Sequence, residues 1–159
     1  MIMKTDWKKL IGSVAIPLAV GGLSALITKD SMVVFEYVDK PPLSPPMWLF
    51  PVVWSILYIL MGLALYYVRV SNASIQRKRT AYVYYALQLA FNFGWPIFFF
   101  NMEAFLTAFI WLCVMWLFIL LTIIKFFDID KKAGWLMIPY ILWSTFALYL
   151  NYGVYMLNK

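Results

Sequence analysis

The chain has 159 residues, of which 65% are hydrophobic, 20% aromatic and only 13% charged, with a formal charge of +6 and a mean hydropathy of +0.82. A soluble domain carries roughly 45–50% apolar and about 25% charged residues, so too little polar surface is present to cover a water-soluble core. Disorder, a collagen and a disulfide scaffold fail on the same numbers, which leaves an integral membrane protein.

The chain has no histidine, which excludes a Ser–His–Asp triad, a His-ligated metal and an imidazole proton shuttle. The single cysteine, Cys113, has no partner for a disulfide or a thiolate metal site, and it lies within an apolar run. It reads as a small buried hydrophobe. No metal site and no resident cofactor are expected.

Taken in chain order, runs free of Asp, Glu, Lys and Arg cover residues 10–28, 47–68, 80–102, 104–124 and 133–157. Each is long enough for a helix crossing of roughly 20 residues. The runs are continuous rather than alternating, so a barrel is excluded and a bundle of five transmembrane helices is expected, forming one domain over 1–159. Lys4, Lys8 and Lys9 before the first run, with Gly22-Leu23-Ser24 near its end, also resemble a secretory signal peptide. The run is longer than a signal core and carries an organised face, so it is read as the first span.

Basic residues fall unevenly on the two sides. Ten lie on the side of the N-terminus and of the segments 69–79 and 125–132; Lys29, Lys40 and Lys159 lie on the other. The positive-inside rule then places the N-terminus in the cytoplasm and the C-terminus outside. The charge of +6 follows from topology and anionic lipid head groups, and no nucleic-acid motif accompanies it. The outer loop 29–46 holds Pro41, Pro42, Pro45 and Pro46 and is expected to be extended and stiff, as a lid over the bundle or as a plain connector. Asn101, Met102 and Glu103 alone join spans three and four, which must be antiparallel neighbours.

Helical spacing assigns inward faces. In the first span Ser13, Pro17, Gly21, Ser24 and Thr28 share a side whose small residues permit close packing or leave room for a ligand. Pro51, Trp54, Tyr58, Met61 and Leu65 form a stripe on the second span. Gln88, Asn92, Trp95 and Phe99 share an arc of the third, with Ala86, Ala90 and Gly94 opposite, a face suited to tight packing within the monomer or across a dimer. The fourth span shows little but apolar and aromatic side chains and reads as structural and lipid-facing. On the fifth, Pro139, Trp143, Ala147, Leu150 and Val154 align, and Ala147 leaves room beside the Trp143 indole for a flat ligand.

Gln88 and Asn92 inside the membrane require partners, either an interhelical hydrogen bond or a ligand. Trp7, Trp48 and Trp135 sit at span ends as interfacial belts, whereas Trp54, Trp95 and Trp143 lie deeper. No ionisable side chain falls within a span, so a charge-coupled pump is disfavoured. What remains is a cavity of aromatic rings and amides suited to a large, flat, mostly apolar molecule.

Three separated motifs carry a resemblance. The stretch Lys40-Pro-Pro-Leu-Ser-Pro-Pro-Met-Trp-Leu-Phe-Pro-Val-Val-Trp54 with Leu57-Tyr58 and Met61-Gly62, the stretch Phe91-Asn-Phe-Gly-Trp95 with Phe99-Phe100, and Pro139-Tyr-Ile-Leu-Trp-Ser-Thr-Phe-Ala147 through Leu150-Asn151 resemble the tryptophan-rich sensory protein / translocator protein (TspO/MBR) family. The resemblance implies a five-helix receptor, often homodimeric, in a bacterial cell membrane. Its ligands would be porphyrins such as protoporphyrin IX or another tetrapyrrole, isoquinoline-carboxamides and benzodiazepines, with membrane lipid and in some members a sterol as further partners.

By that similarity Pro51, Trp54, Tyr58, Asn92, Trp95, Phe99, Trp143, Ala147 and Leu150 would line the ligand pocket, with Trp54 and Trp143 facing each other across it. Some bacterial relatives are reported to degrade protoporphyrin in light, and here Trp54 and Trp143 would then be the redox-active side chains. Phe91 and Phe35 depart from the family's usual Trp and Tyr, which puts a hydrogen bond to a porphyrin carboxylate in doubt. Leu150, Tyr155 and Lys159 formally fit a sterol consensus. The expectation is a binding protein for tetrapyrrole handling, sensing or transport. The alternatives are a light-dependent protoporphyrin-degrading enzyme and a sterol or lipid transporter. The missing histidine favours a metal-free porphyrin held by stacking.

Overall fold

A computed structural model describes residues 4–159; residues 1–3 of the expected domain 1–159 lie outside the described part. Six helices follow one another: α1 (Trp7–Thr28), α2 (Val34–Tyr37), α3 (Leu49–Val70), α4 (Ile75–Pro96), α5 (Phe105–Ile129) and α6 (Lys131–Leu157). A π-helical turn, Ile97–Asn101, continues α4 beyond Pro96. No strand occurs among the described residues, and the fold is an all-α membrane bundle.

The described residues hold the five long helices expected and, in addition, a sixth helix of one turn. The additional helix, α2, forms inside the outer loop that was expected to be extended. Val34 and Phe35 are buried there, and the Lys40 ammonium donates to the carbonyls of Phe35, Glu36 and Val38 at 2.7, 3.3 and 3.3 Å. A side-chain cation thus caps the exposed carbonyls of a one-turn helix. The four prolines all follow α2, so their stiffness acts only on the second half of the loop.

Four of the five long helices, α1, α3, α5 and α6, are long and apolar enough to cross a membrane by composition. α4 falls short because tyrosines and amides interrupt it. Tyr85, Gln88 and Asn92 are buried, so these polar groups face neighbouring helices rather than lipid.

The helices also run past the charges that bounded the expected spans. α5 continues through Lys125 to Ile129, and only Asp130 separates it from α6. Asp130 ends one helix and caps the next, accepting from the backbone N–H groups of Lys132 and Ala133 at 2.7 and 3.2 Å. The expected loop 125–132 is therefore one residue, because lysine and arginine are good helix formers whose long stems reach toward the interface.

The reading of the fourth span as lipid-facing is also corrected. One face of α5 is central to the core, with Ala108, Leu112, Met115, Ile119 and Phe126 essentially inaccessible. An evenly apolar helix gives no periodic signal for which side is buried.

At the basic end α1 and α3 are in close contact. A Cβ added to Gly62 would lie 2.4 Å from the Val14 Cα, and Arg69 donates to Ser13 Oγ at 2.9 Å. Toward the loop-bearing end α1 turns to other partners. Ser24 Oγ donates to the Phe93 carbonyl on α4 at 3.0 Å, and Asn101 donates to the Ile27 carbonyl at 3.3 Å. The helix therefore leaves α3 and leans onto α4 and its π-helical extension.

Candidate functional site

The divergence of α1 from α3 creates a cavity of about 360 Å³ at the loop-bearing end. Small-molecule sites typically span roughly 300–1,000 Å³, and this one is at the compact end of that range. α1 contributes Gly21, Ser24 and Thr28, the small face expected from spacing. Gly21 makes room for the Tyr58 ring, since a Cβ there would lie 2.1 Å from it. α3 contributes Pro51, Trp54 and Tyr58. Pro51 lies in the first turn of α3, where its missing N–H costs nothing. α4 contributes Asn92 and Trp95.

A hydrogen-bonded chain ties this wall to the core. Tyr58 Oη donates to Asn92 Oδ1 at 2.6 Å, Asn92 Nδ2 donates to Tyr140 Oη at 2.8 Å, and Tyr140 donates to Gln88 Oε1 at 2.7 Å. Every step pairs a donor with an acceptor, so Asn92 and Tyr140 each accept once and donate once along the chain. Gln88 and Tyr140 are fully buried and serve the interhelical contact alone. Asn92 does both: it bridges α3 and α6 and faces the cavity. The Trp95 indole is aimed by a second bond, Nε1 donating to Asn151 Oδ1 at 2.9 Å.

Five of the nine expected pocket residues, Pro51, Trp54, Tyr58, Asn92 and Trp95, meet on this cavity. Phe99, Ala147 and Leu150 line a separate void of about 20 Å³ with Phe35, Phe50 and Asn151. Trp143 borders neither space. Its ring lies 6.0 Å from that of Phe50, which lines both, and its indole N–H is buried without a partner. Trp54 instead has Tyr58 and Tyr140 as aromatic neighbours, at 5.6 and 6.1 Å. The two tryptophans thus do not face each other across the cavity, because Phe50 occupies the ground beside Trp143.

Phe91 faces α5, its ring 4.4 Å from Trp111 and its carbonyl accepting from the Trp111 indole at 2.7 Å, so its difference from Trp does not touch the cavity. Phe35 is buried against Phe50 at 5.0 Å. In the small-residue stripe of α4, Ala86 and Ala90 are exposed, but Gly94 is covered by Trp111. Leu150 is buried, so the three residues of the sterol pattern share no lipid-facing surface.

Sequence reasoning missed Met32, Met47, Phe50, Phe100 and Met115 on the cavity wall. Met32 lies in the outer loop and Met47 at its end, where no periodicity exists to read. Met115 lies on the evenly apolar α5. Met47 and Phe50 carried a signal as part of the motif leading into α3, and Phe100 as part of the α4 motif.

The TspO/MBR family profile matches residues 13–157. The chain is 38% identical to the tryptophan-rich protein TspO of Chlorobaculum tepidum over 142 residues, covering 89% of this chain and 90% of that protein. It is also 38% identical to the tryptophan-rich sensory protein of Cereibacter sphaeroides over 156 residues, covering 98% and 95%. Similarity extends to the translocator protein of Bos taurus, 28% identical over 159 residues and 94% of that chain. With a helical bundle of this order and a family match over nearly its whole length, the chain belongs to the TspO/MBR family of integral membrane proteins.

Proposed function

We propose that the protein is a membrane receptor for protoporphyrin IX or a related flat, apolar tetrapyrrole, held without a metal. The observation that carries this reading is the composition of the cavity wall. Two indoles, a phenol and one amide converge there, and no charged residue lines it. Aromatic faces stack on a macrocycle, and a single amide orients one polar edge. The exposed alanines Ala86 and Ala90 remain the face on which a homodimer would form.

Titration of the detergent-solubilised protein with protoporphyrin IX tests the reading by tryptophan quenching. Saturable quenching is expected, weakened about tenfold by Trp54→Ala and by Asn92→Ala, which corresponds to ~1.4 kcal/mol each. Unchanged affinity in both variants rejects the pocket.

One observation favours a second reading, light-dependent breakdown of the porphyrin. Trp54 stands in the cavity wall with two phenol rings within about 6 Å. Illuminated bleaching faster than that of free porphyrin in detergent, and lost in Trp54→Phe, would support it. Equal bleaching with and without protein would dismiss it.

A further inference from the structure

We infer that the cavity is filled from the lipid, through a lateral slot between α1 and α3, and not through the loop-bearing end of the bundle. The inference rests on the ligand-binding reading above for what passes through the slot, but not for the opening itself.

Two independent sets of contacts lead to it. The first concerns the side of the bundle. α1 pairs with α3 up to Gly21, where the Tyr58 ring fills the space of a Cβ. Beyond that point α1 is bonded to α4 and its extension through Ser24 and Asn101. A wedge therefore opens between α1 and α3. Leu18, Gly22 and Ala25 lie on its α1 edge at i, i+4 and i+7, and Pro51 and Ser55 on its α3 edge. All five are exposed while also lining the cavity. Gly22 is the open point, since a Cβ there would meet nothing within 4 Å.

The second concerns the end of the bundle, where the outer loop is fastened to α6. Asn158 exchanges two bonds with Asp39, accepting from its N–H at 3.0 Å and donating to its carbonyl at 2.8 Å. Tyr149 donates to the Pro42 carbonyl at 2.8 Å, and Pro41 packs on Gly153 so closely that a Cβ would lie 2.4 Å away. Tyr37 on α2 donates to Glu103 at 3.1 Å. Opening the end would break all of these contacts, whereas the side is already open. The substrate class follows: a molecule that partitions into the hydrocarbon region before it binds, entering edge-first as a flat ring would.

The test uses the full chain in lipid nanodiscs, with protoporphyrin IX as probe and stopped-flow tryptophan quenching as readout. Gly22→Phe starts its side chain in open space on the slot's edge, since a Cβ there meets nothing within 4 Å, and is expected to slow association at least tenfold. In a Cys113→Ala background, Asp39→Cys with Asn158→Cys, cross-linked, fastens the loop where it already lies. Association should then stay within twofold of the wild-type rate. An unchanged rate in Gly22→Phe, or slowing by the locked loop beyond twofold, overturns the proposal. A third arm needs no porphyrin: lipids with brominated acyl chains should quench a fluorescence component that Trp54→Phe removes and that Gly22→Phe protects. Absence of that component also overturns the slot. Absence of saturable porphyrin quenching in the wild type, with the bromolipid result intact, rejects only the porphyrin reading.

Discussion

The hydroxyl of Tyr58 donates to Asn92 Oδ1 at 2.6 Å, and this one bond decides how the asparagine presents itself to the cavity. With its oxygen turned to Tyr58, the amide sends Nδ2 toward Tyr140, which accepts at 2.8 Å and donates its own O–H to Gln88 Oε1 at 2.7 Å. The polar groups that α4 carries into the bundle are thereby satisfied internally. Membrane interior offers no water to replace such partners.

The chain predicts an ordering of two phenylalanine substitutions. Tyr140→Phe removes the central hydroxyl and leaves both the Asn92 N–H and the Gln88 carbonyl unpaired in a fully buried place. Leaving buried polar atoms unsatisfied costs about 1–3 kcal/mol. Tyr58→Phe frees only Asn92 Oδ1, at a group that borders the cavity, and should cost roughly 1 kcal/mol or less. Thermal unfolding in detergent should rank Tyr140→Phe below Tyr58→Phe below wild type. The reverse ranking would show that the chain is not the stabilising element.

Glycine positions on α1 and α3 give opposite expectations for the same chemical change. At Gly62 an added methyl meets the Val14 backbone at 2.4 Å, and backbone cannot swing aside as a side-chain tip can. Gly62→Ala should therefore destabilise by about 1–3 kcal/mol, the range for overpacking. Gly22→Ala adds its methyl to open space within a helix and should stabilise by roughly 0.5–1 kcal/mol through helix propensity. Both variants are read in one melting series.

The residues explain how much of this was legible in advance. Spans and small-residue faces follow from charge-free length and a 3.6-residue period, so Gly21, Ser24, Trp54, Tyr58 and Asn92 were placed on facing stripes and do meet. Periodicity assigns a face but not a depth or a tilt. It therefore could not show that α1 crosses from α3 to α4, or that Phe50 separates Trp143 from the cavity. Helix α2 was invisible because its cap, Lys40, is a side chain acting on carbonyls up to five residues before it. The one-residue turn at Asp130 was hidden by reading charges as loop.

Leu43 offers a stabilising change. It has a positive φ of 68° and is 83% exposed, so nothing packs to offset its backbone strain. A side chain with a Cβ costs roughly 1–2 kcal/mol in the left-handed region, whereas asparagine visits it readily. Leu43→Asn is expected to raise stability by about 0.5–1 kcal/mol without altering ligand affinity. A fall in melting temperature would mean that Leu43 contacts something in the bilayer.

The contact between Tyr37 and Glu103 predicts a pH dependence confined to the outer loop. Partial desolvation, and then the hydrogen bond to the Glu103 carboxylate, raise the phenol's pKa above its ordinary value. A raised folded-state value means that the contact stabilises the loop fully below the unfolded tyrosine pKa of about 10, and that this is lost as pH rises through the folded value. Deprotonation would set phenolate against carboxylate at 3.1 Å with no proton between them. Amide exchange, corrected for the intrinsic rise in rate with pH, should show α2 losing protection in the alkaline range while α3 and α5 keep theirs. Tyr37→Phe should show weaker protection of α2 at neutral pH and no alkaline step. A step that survives in Tyr37→Phe would assign it to another group and remove the contact as its cause.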